Sequence, residues 1–380
     1  MPESLSWVDG APTPAHALGP EQAGFALVLE PAGAAARRIG GLPLALRLAL
    51  DAQAAGASCV VLHGAAAELR ELLADARLQL PLVPQPPPGV ARLRAPASLL
   101  AHRATLRELS EVLAPGDERS LTDVREPPRV AYSFAPIDVS NDESARLAES
   151  ALFRSLRKAQ DGWTSRHLNR YISLFLSRFL IKTPLRPNQV SVAILGVGVA
   201  GAIAAAQGSY WSLVGGAALF QAQSVLDGCD GEMSRVSHRG SRLGEWLDTI
   251  GDDLTNYGFF GGAGLGLFRM TGQKLYLIAG AVCVLCGVIA SGLEYRYLIR
   301  IGSGDLLKYP LSQTSSGQGK LAFIAPLFKR DTFVLLTLLA ALGGALGPML
   351  CVFSLAAIGI LVGVLKTELR LAREARAAER

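Results

Sequence analysis

Two pairs of carboxylates stand out in this chain as residues whose type and spacing could do chemistry. Asp227 and Asp230 are three positions apart and Asp248 and Asp252 are four apart, so each pair lies on one face of a helix. They sit in Asp227-Gly-Cys-Asp230-Gly231-Glu-Met-Ser234-Arg235, followed after eight residues by Gly244-Glu-Trp-Leu-Asp248-Thr-Ile-Gly-Asp252-Asp253. Four converging negative charges repel one another unless a cation joins them. Oxygen-only ligands select a hard divalent ion, Mg²⁺ or in its place Mn²⁺. Such a centre suits a substrate carrying a pyrophosphate, whose oxygens complete the coordination during in-line displacement at phosphorus. Gly231 and Gly244 would let the backbone approach that ligand closely, and Arg235 can pair with phosphate oxygens as a planar fork. The competing reading is a solvated loop between two membrane spans. It suits Asp227 and Asp230 better than Asp248 and Asp252, which are followed by fifteen uncharged residues at 254–268.

The elements that position these groups are unusually apolar. Hydrophobic residues make up 50% of the chain and charged residues 18%, against roughly 25% charged in a soluble domain, and the mean hydropathy is +0.31. Residues 187–226 contain no Asp, Glu, Lys or Arg over forty positions, and 332–365 none over thirty-four. Each run has room for two membrane spans of about 20 residues. Six spans are expected at 189–207, 210–230, 246–268, 275–295, 332–348 and 350–366. The connections on one side hold Arg235, Arg239, Arg242, Arg296, Arg300, Lys308, Lys320, Lys329 and Arg330, and the tail adds Lys366, Arg370, Arg373, Arg376 and Arg380. The other side holds only Arg269 and Lys274. This asymmetry places both termini and the carboxylates on the cytoplasmic side of a cell membrane. Glycines such as Gly196, Gly198 and Gly201, or Gly261, Gly262, Gly264 and Gly266, read as close helix packing. Cys283-x-x-Cys286 lies in an apolar run and reads as packing rather than metal or redox chemistry.

Ahead of the spans, residues 1–20 are rich in Pro and Ala and read as a tail without the layout of a signal peptide. Residues 21–150 form a small α/β domain, with strands expected at 25–29 and 58–62 and a helix at 42–54 between them. Pro-rich 81–89 and polar 115–129 interrupt its second part. Residues 151–186 join this domain to the membrane part at 187–380. Within that join Leu168, Ile172, Phe175 and Phe179 recur at helical spacing with Arg166, Arg170 and Arg178 between them. A basic amphipathic helix of this kind lies on a membrane surface, the alternative being a helix docked on the soluble domain.

The pattern D-x2-D-G-x2-(A/S)-R-x8-G-x3-D-x3-D resembles the signature of the CDP-alcohol phosphotransferase family, and the chain meets it at Asp227, Asp230, Gly231, Ser234, Arg235, Gly244, Asp248 and Asp252. The resemblance covers about 161–380 and implies an all-α bundle of six membrane helices with a cytoplasm-facing site. It implies an enzyme that transfers a phosphate-linked group from a CDP-activated donor to an alcohol and releases CMP. Asp227, Asp230, Asp248 and Asp252 would hold the metal, with Asp252 also assisting deprotonation of the acceptor hydroxyl, and Gly231, Ser234, Arg235 and Gly244 would face the donor. Asp253 has no matching role. Members are often dimeric, and no nucleic acid is expected as a partner.

A narrower likeness links Asp161-Gly-Trp-Thr-Ser165-Arg166-His-Leu-Asn169-Arg170, Pro187-Asn188 and Lys329-Arg330-Asp331 to enzymes that fuse an inositol-phosphate cytidylyltransferase to a di-inositol-phosphate phosphate synthase. It implies an inositol phosphate or another polyol phosphate as acceptor, with Lys320, Lys329 and Arg330 as its cationic partners; positive-inside bias alone also explains those cations. Ala32-Gly33-Ala34-Ala35-Ala36-Arg37 and Gly41-Leu42-Pro43-Leu44 resemble the phosphate loop of a nucleotidyltransferase. Ala35 stands where that loop has glycine and Leu42 where it has lysine, so the front domain is expected to be a non-catalytic remnant. Two other readings stay open: a phospholipid synthase using CDP-diacylglycerol, and a transporter or scaffold with an acidic ion site.

Overall fold

The computed structural model describes residues 24–62, 67–159, 161–311 and 329–378. The expected tail at 1–20 and Lys320 lie outside the described residues. The chain divides into two compact units. One combines the N-terminal part with Ser177–Pro184 and Glu232–Gly240, and the other comprises Asp161–Leu176, Leu185–Gly231 and the residues from Ser241 on.

The first unit is an α/β domain. Strands β1 (Ala26–Glu30) and β2 (Cys59–Leu62) run parallel and are joined by helix α1 (Leu44–Ala54), the strand–helix–strand order expected from the apolar pattern. Strands β3 (Leu82–Val83), β4 (Arg92–Pro96) and β5 (Glu118–Ser120) complete a parallel sheet of order β3-β2-β1-β4-β5. Both edge strands fall inside the Pro-rich and polar segments. Edges of two and three residues, the first flanked by Pro81 and Pro84, leave little backbone for further pairing. Leu27, Leu29, Leu46, Val60, Leu93 and Leu106 are buried in the core on the face covered by α1 (Leu44–Ala54). Leu42 belongs to the same buried core, which suits leucine where a phosphate-binding lysine would have needed solvent. Helices α2 (Ala67–Leu73) and α3 (Arg103–Val112) follow their strands, and α4 (Asp142–Arg154) opens on a capping box made by Asn141 and Ser144.

Asp75 in this unit accepts two hydrogen bonds from the Arg77 guanidinium at 2.7 and 2.6 Å. These bonds hold its carboxyl down at about 2. The folded value lies below that of the unfolded chain, so the pair's contribution is complete above about pH 4 and is lost as pH falls towards 2. Solvent screening of this partly exposed pair keeps the contribution to about 1 kcal/mol or less. Asp75→Asn is expected to lower the thermal midpoint of this unit at pH 7 and to match the parent near pH 2, as read by unfolding scans across pH.

The second unit is helical: α5 (Arg170–Leu180), α6 (Pro187–Ala205), α7 (Tyr210–Ser237), α8 (Arg242–Thr271), α9 (Lys274–Ile301), α10 (Arg330–Leu342) and α11 (Leu346–Ala378), with the ends of α5 and α7 entering the first unit. Among the described residues, three stretches are by length and composition apolar enough to cross a membrane, Pro187–Ala205, Lys274–Ile301 and Leu346–Glu374. Leu285 is 62% exposed and Leu355 70% exposed on two of them, as expected of side chains whose solvent is lipid. The fifth expected span, 332–348, is interrupted: α10 ends at Leu342, Gly344 takes a left-handed φ of +70°, and α11 begins at Leu346. At Gly344 the left-handed backbone is one that a Cβ would strain.

The small residues do pack. Gly264 and Gly280 face each other backbone to backbone, and a Cβ on Gly262 would stand 2.4 Å from the Ala202 carbonyl oxygen. Gly196 faces open space and has no such role. On α5, Phe175 and Phe179 are exposed, while Leu174, Ser173 and Ser177 are buried. Arg170 departs from the expected basic face. It is buried and donates to both oxygens of Asp161, at 2.9 and 3.0 Å, because that side of the helix is covered by α7.

Candidate active site

Helices α7 and α8 bring the carboxylates together. Asp227, Asp248 and Asp252 each offer an oxygen within 4.8 Å of the others. Residues 227 and 230 face α6 and α8 from one side of α7, and Asp248 and Asp252 answer them one turn apart on α8. Asp230 shares the cavity lining with those three, together with Ser191, Gln223 and Gly251. Its own carboxylate accepts a hydrogen bond from the Ser191 hydroxyl of α6, and it is not one of the three converging oxygens. The helical spacing that put Asp227 and Asp230 on one face carried no information about which neighbour each would meet.

Arg330, at the start of α10, is the group that sequence spacing did not place here. Its guanidinium lies 2.7 Å from Asp252 Oδ1 and 3.4 Å from Asp227 Oδ2. It donates to the Gln223 side-chain oxygen at 2.6 Å and to Asn256 Oδ1 at 3.3 Å. Among the described residues, the Arg330 guanidinium pairs with two of the three carboxylates, Asp227 and Asp252, in a cluster of oxygen donors. A hard divalent ion fits that donor set. Gln223 and Asn256, one turn from Asp227 and Asp252, are polar residues in apolar helices, and that mismatch was the available signal for them.

The neighbouring residues divide into those that face this cavity and those that do not. Asp253 turns the other way and accepts hydrogen bonds from Ser291 and, at 2.6 Å, from Tyr295 of α9. Asp331 accepts from the backbone N–H of Ser165 at 2.6 Å, and a Cβ on Gly162 would collide with its carboxylate. The Asp161–Arg170 stretch and the Arg330–Asp331 step are therefore held against each other. Gly228 gives way to the same stretch, with Arg170 and Ser173 3.0 Å from where its Cβ would stand. Gly244 lies at the start of α8, 3.0 Å from Asn188 Oδ1 by the same measure. Gly231 follows Asp230 on α7, and Ser234 and Arg235 occupy its last turns. Lys329 is the N-cap residue of α10 and is exposed.

In the first unit a cavity of about 550 Å³ is lined by Gly33, Ala34, Arg37, Ser98, Asp138 and Ser140. It opens beyond the carboxyl ends of β1 and β4, where the sheet order reverses. Its arginine is already paired with Asp142, and Asp138 accepts from Ser98 at 2.6 Å.

Residues 185–365 match the family model of CDP-alcohol phosphatidyltransferase, in a chain whose N-terminal part is an α/β domain. The chain is similar to a bifunctional IPC transferase and DIPP synthase of Thermococcus kodakarensis, 31% identical over 47% of this chain and 40% of the relative. A protein of the same description from Archaeoglobus fulgidus is 30% identical over 49% of this chain and 37% of the relative. The chain thus spans less than half the length of these curated relatives. Among solved structures, phosphatidylinositol phosphate synthase of Mycobacterium tuberculosis with CDP-DAG bound is 20% identical, covering 52% of this chain and 93% of that one, with a TM-score of 0.40.

Proposed function

We propose, from the premise that residues 185–365 form a CDP-alcohol phosphatidyltransferase domain, that this protein transfers a phosphate-linked group from a CDP-activated donor to the hydroxyl of a polyol phosphate. The observation that carries the reading is the convergence of Asp227, Asp248 and Asp252 within 4.8 Å inside that segment. Inositol phosphate is the acceptor favoured by the names of the two relatives and by the placement of Arg330 among the carboxylates. The helices α6 to α11 act as six membrane spans, with both termini and the site on the cytoplasmic side, as the lysine and arginine asymmetry requires.

Asp227, Asp248 and Asp252, with Asp230 beside them, would hold Mg²⁺ or Mn²⁺, which supplies charge neutralisation at the donor pyrophosphate. The acceptor hydroxyl oxygen attacks the phosphorus that carries the donor's alcohol group, a new O–P bond forms, and the bond to CMP breaks. Asp252 takes the hydroxyl proton. Arg330 then exchanges part of its contact with Asp227 and Asp252 for the phosphate of the acceptor. Gly231, Ser234, Arg235 and Gly244 border the donor.

Purified full-length protein with Mg²⁺, inositol phosphate and either labelled CDP-inositol or labelled CDP-diacylglycerol tests this. CMP release from one donor is expected, and the donor that reacts identifies the product class. Release from neither refutes the reading. The α/β domain is a remnant in the same proposal, so CTP and inositol phosphate alone should give no pyrophosphate.

A further inference from the structure

The last turn of α7 has a feature that its sequence does not announce. The final carbonyls of a helix lack intrahelical partners, and here two of them are taken by arginines of the α/β domain. Arg47 of α1 is 1% exposed. It donates to the carbonyl oxygens of Ile39 and Gly40 at 2.9 and 3.1 Å and to that of Val236 at 2.9 Å. Arg77 donates to the Ser237 carbonyl at 2.7 Å while its other nitrogens hold Asp75. Cations at a helix C-terminus are favoured by both hydrogen bonding and the helix dipole.

The chain then reverses through His238, whose φ of +51° is a left-handed position usually given to glycine. Its Nε2 lies 3.6 Å from Asp51 Oδ1, on the same helix α1 as Arg47. The Arg239 N–H closes the turn on the Ser234 carbonyl at 3.1 Å. From the other side, a Cβ on Gly40 would stand 2.7 Å from Val236 Cγ1, so a bare backbone is needed where the domain meets this turn. Ser177 of α5 donates to Glu232 at 2.7 Å. Residues 232–240 are accordingly part of the α/β unit, although they join the helix bearing Asp227 and Asp230 to the helix bearing Asp248 and Asp252.

We infer that Arg47 and Arg77 are positioning residues for the carboxylate site: the α/β domain fixes the α7–α8 turn and thereby the spacing of the two Asp pairs. This rests on the metal-holding reading of the four aspartates. Neither arginine touches substrate or metal.

The test uses full-length protein in lipid nanodiscs and manganese alone as the probe, titrated by electron paramagnetic resonance, with amide hydrogen exchange of residues 232–240 followed in parallel. Arg47→Met and Arg77→Gln are expected to weaken Mn²⁺ binding by about 10- to 100-fold, the usual effect of disturbing groups that orient metal ligands, and to speed exchange in the turn. Arg77→Lys, which keeps a donor for Ser237, should recover most of the affinity. Arg94→Gln should change neither readout, since Arg94 pairs with Glu30 and Glu118 on the sheet. If Arg47→Met does not fold, Arg77→Gln decides alone. Parental Mn²⁺ affinity in Arg77→Gln overturns the inference, whether or not exchange rises. A parent that binds no Mn²⁺ refutes the metal reading, and the inference falls with it.

Discussion

Asp227→Asn and Asp230→Asn are each expected to reduce CMP release by at least about 100-fold while the helices stay folded. Disturbing the groups that merely orient metal ligands already costs 10- to 100-fold, and an asparagine in place of a ligand removes charge that its amide does not restore. The bundle should tolerate the first change, because Arg330 keeps Asp252 at 2.7 Å when Asp227 is neutralised. The second keeps an amide oxygen to accept from the Ser191 hydroxyl and loses only the charge on that bond between α6 and α7. Helix content by circular dichroism should match the parent in both. Excess chelator should abolish turnover of the parent in the same way, and full turnover in chelator would eliminate the metal from the mechanism.

Arg330→Ala should raise the Michaelis constant for a phosphorylated acceptor by about 30-fold or more, the equivalent of about 2 kcal/mol for truncating one partner of a buried charged contact. The same variant should alter the constant for the unphosphorylated alcohol far less. A cation present only to orient the chain in a membrane would sit in solvent. Arg330 instead contacts Asp227, Asp252, Gln223 and Asn256. Equal constants for the two acceptors, both unchanged from the parent, would return Arg330 to the positive-inside pattern and remove the support for a phosphorylated acceptor.

Much of this site is legible in the residues alone because it is local. Spacings of three and four put carboxylates on shared helix faces, and a charge-free run of forty residues leaves few structures open. The strand–helix–strand start of the α/β domain is equally local. What pattern does not carry is which face meets which neighbour. Asp230 turns to Ser191, Arg170 is buried on Asp161, and Asp253 turns to α9, although each repeats with the same helical period as its exposed neighbours. Arg330 reaches the carboxylates across a long sequence separation, which no window of residues encodes. The edge strands at Leu82–Val83 and Glu118–Ser120 were hidden because two or three residues are too few to establish a period.

The contact between Arg47 and the Val236 carbonyl has a consequence for the order of biosynthesis. The α/β domain leaves the ribosome first, yet one of the acceptors for its buried guanidinium belongs to a helix translated long afterwards. Until residue 236 has been made, Arg47 must keep water at that nitrogen or stay uncovered, since an unpaired buried charge is costly. The domain synthesised first therefore completes the hydrogen bonding of its core only after the end of α7 has been synthesised.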